Sequence, residues 1–168
     1  MSTHPPGIEL RDEHLDSLRR FLLGVPPGAE AFAEDLNEAE ADAERVLLFA
    51  ATAIAVRRRF SSYFTQRQII RFVADLRISM GEDARGLDPR ALEEVIRAAL
   101  GTVHPNDIRF SVRDPAMTIR SHLLILEKLW SQNVIPSGEL DEFMHETLAF
   151  ARQMLETHPD LADGTLTL

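Results

Sequence analysis

Apolar positions recur along much of the chain with the helical period of about 3.6 residues. In residues 65–81 five apolar side chains fall on one side of a helix, and Gly81 is placed to end it. Thr65 followed by Gln68 matches a capping box, in which each side chain bonds the backbone N–H of the other residue. A helix is therefore predicted to begin just after Thr65. Its apolar positions are Ile69, Phe72, Val73, Leu76 and Met80.

The same period and similar boundary signals predict helices elsewhere in the chain. Asp88 followed by Pro89 is a typical helix start, and Gly101 a typical end. Ser137 is the predicted N-cap of the last helix. The predicted helical stretches are 11–23, about 38–60, 66–80, 89–100, 115–132 and 138–156.

Residues 46–56 are apolar in every direction around a helix, which is typical of a helix surrounded by other helices. This run is about half as long as a membrane span requires, so no membrane segment is expected. The prediction is a central hydrophobic helix at about residues 38–60, which is preceded by an acidic stretch at residues 30–44.

Only residues 107–113 alternate between apolar and polar side chains with period two, so they predict at most one short extended segment. The fold class predicted is all-α, a single-domain bundle of five or six helices around the central helix. A flexible leader is expected at residues 1–9, the helical bundle at 10–157 and a flexible tail at 158–168.

Composition limits the possible partners and chemistry of the protein more than it limits the fold. The 168 residues carry a net charge of −9 and include no cysteine. The charge disfavours a surface built to hold polyphosphate, so nucleic acid is not an expected partner. The lack of cysteine removes thiol nucleophiles and thiolate metal sites and fits a cytoplasmic location. The glycines form no phosphate-binding loop, and no cofactor is expected.

An arginine-rich stretch at residues 55–72 is the most distinctive local feature. It allows three interpretations: a packed turn between helices, a patch for an anion or acidic partner, and a nucleic-acid surface. Consecutive arginines at the end of a helix fan around its axis, which favours the first. Arg67 and Arg71 share a helix face, and Asp75 is placed to pair with Arg71. The patch residues are Arg57, Arg58, Arg59, Arg67 and Arg71.

Phe60, Tyr63 and Phe64 are expected to fill the turn between the central helix and the next one. His122 falls on the apolar stripe of its helix and is expected to be a buried polar residue, with contact to a ligand as the alternative. Glu142 and His145 have a metal-ligand spacing but lie opposite an apolar stripe, so we expect them to face solvent. No catalytic or metal-binding residue is predicted.

These observations predict a non-enzymatic protein-interaction or regulatory domain whose partner is another protein or its own copy. The positive argument is excess apolar surface on the helix at 115–132, including Met117 and Leu124 away from the main stripe. The alternative is a ligand- or nucleic-acid-binding regulator that uses the arginine patch at 57–71. A helical enzyme whose site is assembled from distant residues is a third possibility, because such a site has no local motif.

Overall fold

The computed structural model describes residues 8–25, 38–101 and 114–158, and its regular elements are all helical. The all-α prediction is therefore confirmed for the described residues. The extended segment predicted at 107–113 lies outside them, as do most of the leader and tail. Two short 3₁₀ turns span Gly81–Ala84 and Ser137–Glu139. The α-helices are α1 (His14–Leu22), α2 (Glu38–Arg59), α3 (Gln66–Met80), α4 (Pro89–Ala99), α5 (Pro115–Ser131) and α6 (Leu140–Thr157).

The chain divides into two compact units. One contains α1, the part of α2 up to Ala51, and α6. The other contains the rest of α2 together with α3, α4 and α5. The prediction of a single domain over residues 10–157 stays a prediction.

Helix α2 is buried on every side from Ala43 to Val56, apart from the half-buried Arg45 and Ile54. This burial agrees with the apolar run at 46–56, because a helix without a polar face must be covered all round. The position of α2 at the centre of the fold stays a prediction.

In the first unit, α1 packs against α6. Leu18 of α1 and Phe143 of α6 are both buried, and an ion pair joins Arg19 to Asp141. Ser17 Oγ donates a hydrogen bond of 3.1 Å to Glu44 Oε1. Polar contacts thus link α1 to both other helices of this unit.

The boundary of α6 differs from the sequence prediction. Ser137 lies in a 3₁₀ turn, and α6 begins at Leu140, after Glu139, whose side chain forms no capping hydrogen bond. The prediction of Ser137 as the N-cap is therefore wrong. The first turn carries Asp141 and Glu142 instead, whose charges favour a helix N-terminus.

In the second unit, α4 packs against both α3 and α5. The predicted stripe of α3 is confirmed at Ile69, Phe72, Val73 and Leu76, which are all buried, whereas Met80 is half-buried. Asp88 caps α4 by accepting a 2.8 Å hydrogen bond from the Arg90 backbone. The helix boundaries in this unit thus follow the capping residues that the sequence indicated.

The capping box at the start of α3 is confirmed in both directions. The hydroxyl of Thr65 accepts from the Gln68 backbone N–H at 3.3 Å, and Gln68 Oε1 accepts from the Thr65 backbone at 2.8 Å.

Thr65→Ala is expected to lower the free energy of unfolding by about 1 kcal/mol, because the first turn loses one acceptor. Urea denaturation measures the difference. Thr65→Ser keeps the hydroxyl and is the matched control; equal losses in both variants would contradict a capping role.

Candidate functional site

The first three arginines of the patch lie in the last turn of α2 and are exposed. Arg57 Nε donates a hydrogen bond of 2.9 Å to the backbone oxygen of Ala99, the last residue of α4. The last carbonyls of a helix have no partner within the helix, so this bond satisfies one of them. Arg57 therefore ties the ends of two helices together, which favours the structural interpretation at this position.

Arg59 and the neighbouring aromatic rings form successive side-chain contacts. The Arg59 guanidinium lies 5.6 Å from the centre of the Phe60 ring, and Phe60 meets Phe72 edge to face with ring centres 5.7 Å apart. Phe60 and Phe72 are both buried. Cation–π and aromatic contacts of this kind stabilise the packed turn.

Tyr63 does not fill the turn as expected. Its side chain is 92% exposed, whereas Phe60 is buried and Phe64 is half-buried. The prediction that all three rings pack in the turn is therefore wrong for Tyr63. A phenol tolerates water because its hydroxyl can bond to solvent.

Arg67 and Arg71 are exposed on α3, as the helical spacing predicted. The expected pairing of Arg71 with Asp75 is not formed: within the described part of the chain, no ion pair joins these two exposed side chains. Both charges therefore remain in contact with solvent on the surface of the helix.

Apolar side chains accompany these arginines on the solvent side of α3. Ile78 is 78% exposed and Ile70 is 45% exposed, while Ala74 between them is also exposed. At about 100° per residue, these positions lie opposite the buried stripe of the helix. We call this surface the outer face of α3. It consists of Arg67, Ile70, Arg71, Ala74, Asp75 and Ile78.

Charge at the N-terminal end of α3 runs against the helix dipole. The first turn contains no acidic residue but includes Arg67, although a helix N-terminus favours negative charge. The last turn carries Arg77, which matches the dipole, and the exposed Glu82 and Asp83 follow in the 3₁₀ turn beyond the C-terminal end. Arg85 pairs with Glu82 at 3.0 Å, and both side chains are more than 80% exposed. An ion pair so exposed contributes little to stability.

His122 lies in the interior of the second unit and is only 2% exposed. Burial lowers the pKa of His122 to about 3, because the protonated ring would lose its hydration. Thr118 and Ser121, also buried on α5, donate their hydroxyls to Asp114 O and Met117 O of their own helix. The predicted burial of His122 is confirmed, and its contact with a ligand stays a prediction.

The described residues form neither a cluster of metal ligands nor a membrane-spanning helix. Glu142 and His145 are both exposed, as predicted. In residues 8–25, 38–101 and 114–158, no three His, Asp or Glu side chains are close enough together to hold a metal ion. None of the helices described is both long and apolar enough to cross a membrane.

Exposed isoleucines lie on a different helix from the one for which the sequence predicted excess apolar surface. Met117 and Leu124 of α5 are half-buried, whereas Ile70 and Ile78 of α3 are exposed. The signal was present in the sequence, because Ile70 is one residue from the buried Ile69 and Ile78 is two from the buried Leu76. An offset of one residue turns a side chain by about 100° around the helix axis, and an offset of two turns it by about 200°. Both isoleucines are therefore directed away from the packed face.

The comparisons with known proteins assign this chain to no family. Searches of protein-family models, curated proteins and solved structures gave no significant match to this chain.

Proposed function

We propose that the chain is a non-enzymatic protein-interaction or regulatory domain, and that the outer face of α3 is its docking surface. The observation that carries the proposal is the 78% exposure of Ile78, on the same face as Ile70 and two arginines. Exposed apolar groups gathered on one surface and bordered by charge are typical of protein contact sites. A cytoplasmic setting remains part of the proposal.

The arginines support a protein partner better than a polyanion. Of the five patch residues, Arg57 donates to Ala99 O and Arg59 lies over the Phe60 ring, so part of the positive charge serves packing. On the outer face Arg67 and Arg71 alternate with isoleucines, and Asp75 adds a negative charge. An apolar side chain gains free energy when a partner removes it from water, whereas a phosphate backbone offers it no such gain.

The proposal is tested by site-specific photo-crosslinking of the full chain in its native host. Benzoylphenylalanine at position 78 is expected to give a protein adduct identified by mass spectrometry, because a partner covers this position. The matched control is the same residue at position 149, an exposed alanine on α6, which should give little adduct. An adduct that is lost when Arg67 and Arg71 are changed to glutamate supports this face as the site. Equal adducts at both positions, or none at position 78, would overturn the proposal.

The nucleic-acid alternative has its own readout. A labelled DNA duplex is titrated at low and moderate salt with the parent chain and with the Arg67→Glu/Arg71→Glu variant. True phosphate contacts weaken steeply as salt rises, and losing two arginines flattens that dependence. This result would replace protein docking by nucleic-acid binding, and no binding at low salt would remove the alternative.

A further inference from the structure

We infer that the docking surface receives a second copy of itself, with two α3 helices antiparallel about a two-fold axis close to Ala74. The inference rests on the proposed function and names its partner. A two-fold interface requires a surface that is complementary to itself. The outer face of α3 meets this requirement in its apolar positions and its charges.

The apolar positions are symmetric about Ala74. Ile70 and Ile78 lie four residues on either side of it, which is about 6 Å along the helix axis in each direction. A two-fold axis at Ala74 therefore brings Ile70 of one copy beside Ile78 of the partner subunit, and the reverse. The two Ala74 side chains meet at the axis, where a methyl group lets the helices approach closely.

The charges are complementary in the same register. Arg67 lies in the first turn of α3 and Glu82 lies in the 3₁₀ turn that follows the helix, so the two-fold rotation places these opposite charges at the same end of the helix pair. Arg71 likewise comes near Asp75 of the partner subunit, along the same edge of the interface. Glu82 already contacts Arg85, but that pair is exposed and easily exchanged. Antiparallel pairing therefore supplies an opposite charge at each end of α3.

The lack of negative charge at the N-terminal end of α3 favours the same arrangement. The positive N-terminal end of α3 carries Arg67 and lacks an acidic residue in its first turn. An antiparallel copy brings its Glu82 and Asp83 to that end, where negative charge is favoured. Parallel pairing would instead bring Arg67 beside Arg67 and Arg71 beside Arg71 of the partner subunit. Repulsion between these like charges disfavours the parallel register.

Disulfide trapping tests the register, because the chain has no cysteine of its own. Ala74→Cys is expected to form a covalent dimer on mild oxidation, since the two thiols meet at the axis. Ala149→Cys, at an exposed position on α6, is the matched control and should remain mostly monomeric. Equal amounts of Ile70→Cys and Ile78→Cys should yield a mixed dimer, while each alone yields little. Efficient dimers from Ile70→Cys alone and Ile78→Cys alone would indicate a parallel pair and overturn the inference.

Sedimentation velocity of charge variants provides a second test in solution. Arg67→Glu is expected to weaken self-association by about tenfold or more, because two like-charged contacts replace two attractive ones. Arg67→Glu/Glu82→Arg should restore it, which a general loss of folding could not do. A parent chain that stays monomeric at tens of micromolar, together with no trapping at position 74, would overturn the inference. An adduct between position 78 and a different protein would then still support the proposed function.

Discussion

Ile96→Ala is expected to lower the free energy of unfolding by about 2–5 kcal/mol, whereas Ile78→Ala should change it by less than about 0.5 kcal/mol. The two residues are chemically identical, but Ile96 is 0% exposed on α4 and Ile78 is 78% exposed on α3. Truncation of Ile96 leaves a cavity in a packed interior. Truncation of Ile78 removes a side chain that is already mostly in water.

The measurement is urea denaturation at low protein concentration, where association contributes little to the free energy of unfolding. Repeating it at high concentration separates the two roles. We expect the parent chain to gain stability with concentration and Ile78→Ala to gain less, because binding to the folded state adds to its stability. A loss of several kcal/mol for Ile78→Ala in dilute solution would mean that Ile78 holds the fold, and it would remove the main argument for the docking surface.

Part of the fold could be predicted from the sequence alone. The buried stripe of α3 and its capping box follow from local rules, because helical period and backbone hydrogen bonding are set within a few residues. The all-α class follows from repeating such local patterns along the chain. The start of α6 was mispredicted because Ser137 enters a 3₁₀ turn, and the choice between the two helix types depends on how the following residues pack.

The candidate site was only partly predictable. The exposure of Arg67 and Arg71 followed from charge and helical spacing. The helical offset of Ile78 from Leu76 places it off the buried stripe, but an isoleucine in a helix is normally expected to be buried, so the tertiary structure was needed to show that Ile78 is exposed. For the same reason Met117 and Leu124 were expected to be excess surface, whereas the second unit leaves them half-buried.

The fold and the candidate site are related through the connection between α2 and α3. Phe60 and Phe72 pack edge to face, and Thr65 fixes the start of α3. Ile69 and Leu76 are buried, so rotation of the helix about its axis would expose them to water and cost free energy. The outer face is therefore presented in a fixed orientation, which reduces the entropy lost when a partner binds.

Acidification should destabilise the chain through His122, and His122→Gln should remove that part of the effect. The folded state holds the pKa of His122 at about 3, against 6.5 for an unperturbed histidine. Below pH 6.5 the unfolded state therefore binds a proton that the folded state does not, so stability falls as pH falls. The contribution is fully present above about pH 6.5 and is lost progressively toward pH 3, amounting to about 2–3 kcal/mol between pH 7 and pH 4.5.

Replacing a buried ring has its own cost, so the informative quantity is the difference between parent and variant as a function of pH. Urea denaturation from pH 7 to pH 4.5 should show the parent losing about 2–3 kcal/mol more than His122→Gln. His122→Leu, which also cannot take up a proton, should give the same pH-dependent difference even if its stability at pH 7 is different. His145→Gln changes an exposed histidine and is the matched control, which should follow the parent. If the parent and both His122 variants lose stability equally with acidification, the ring takes up its proton without unfolding. Water must then reach His122 in the folded chain, and its burial on α5 could not be the cause of a lowered pKa.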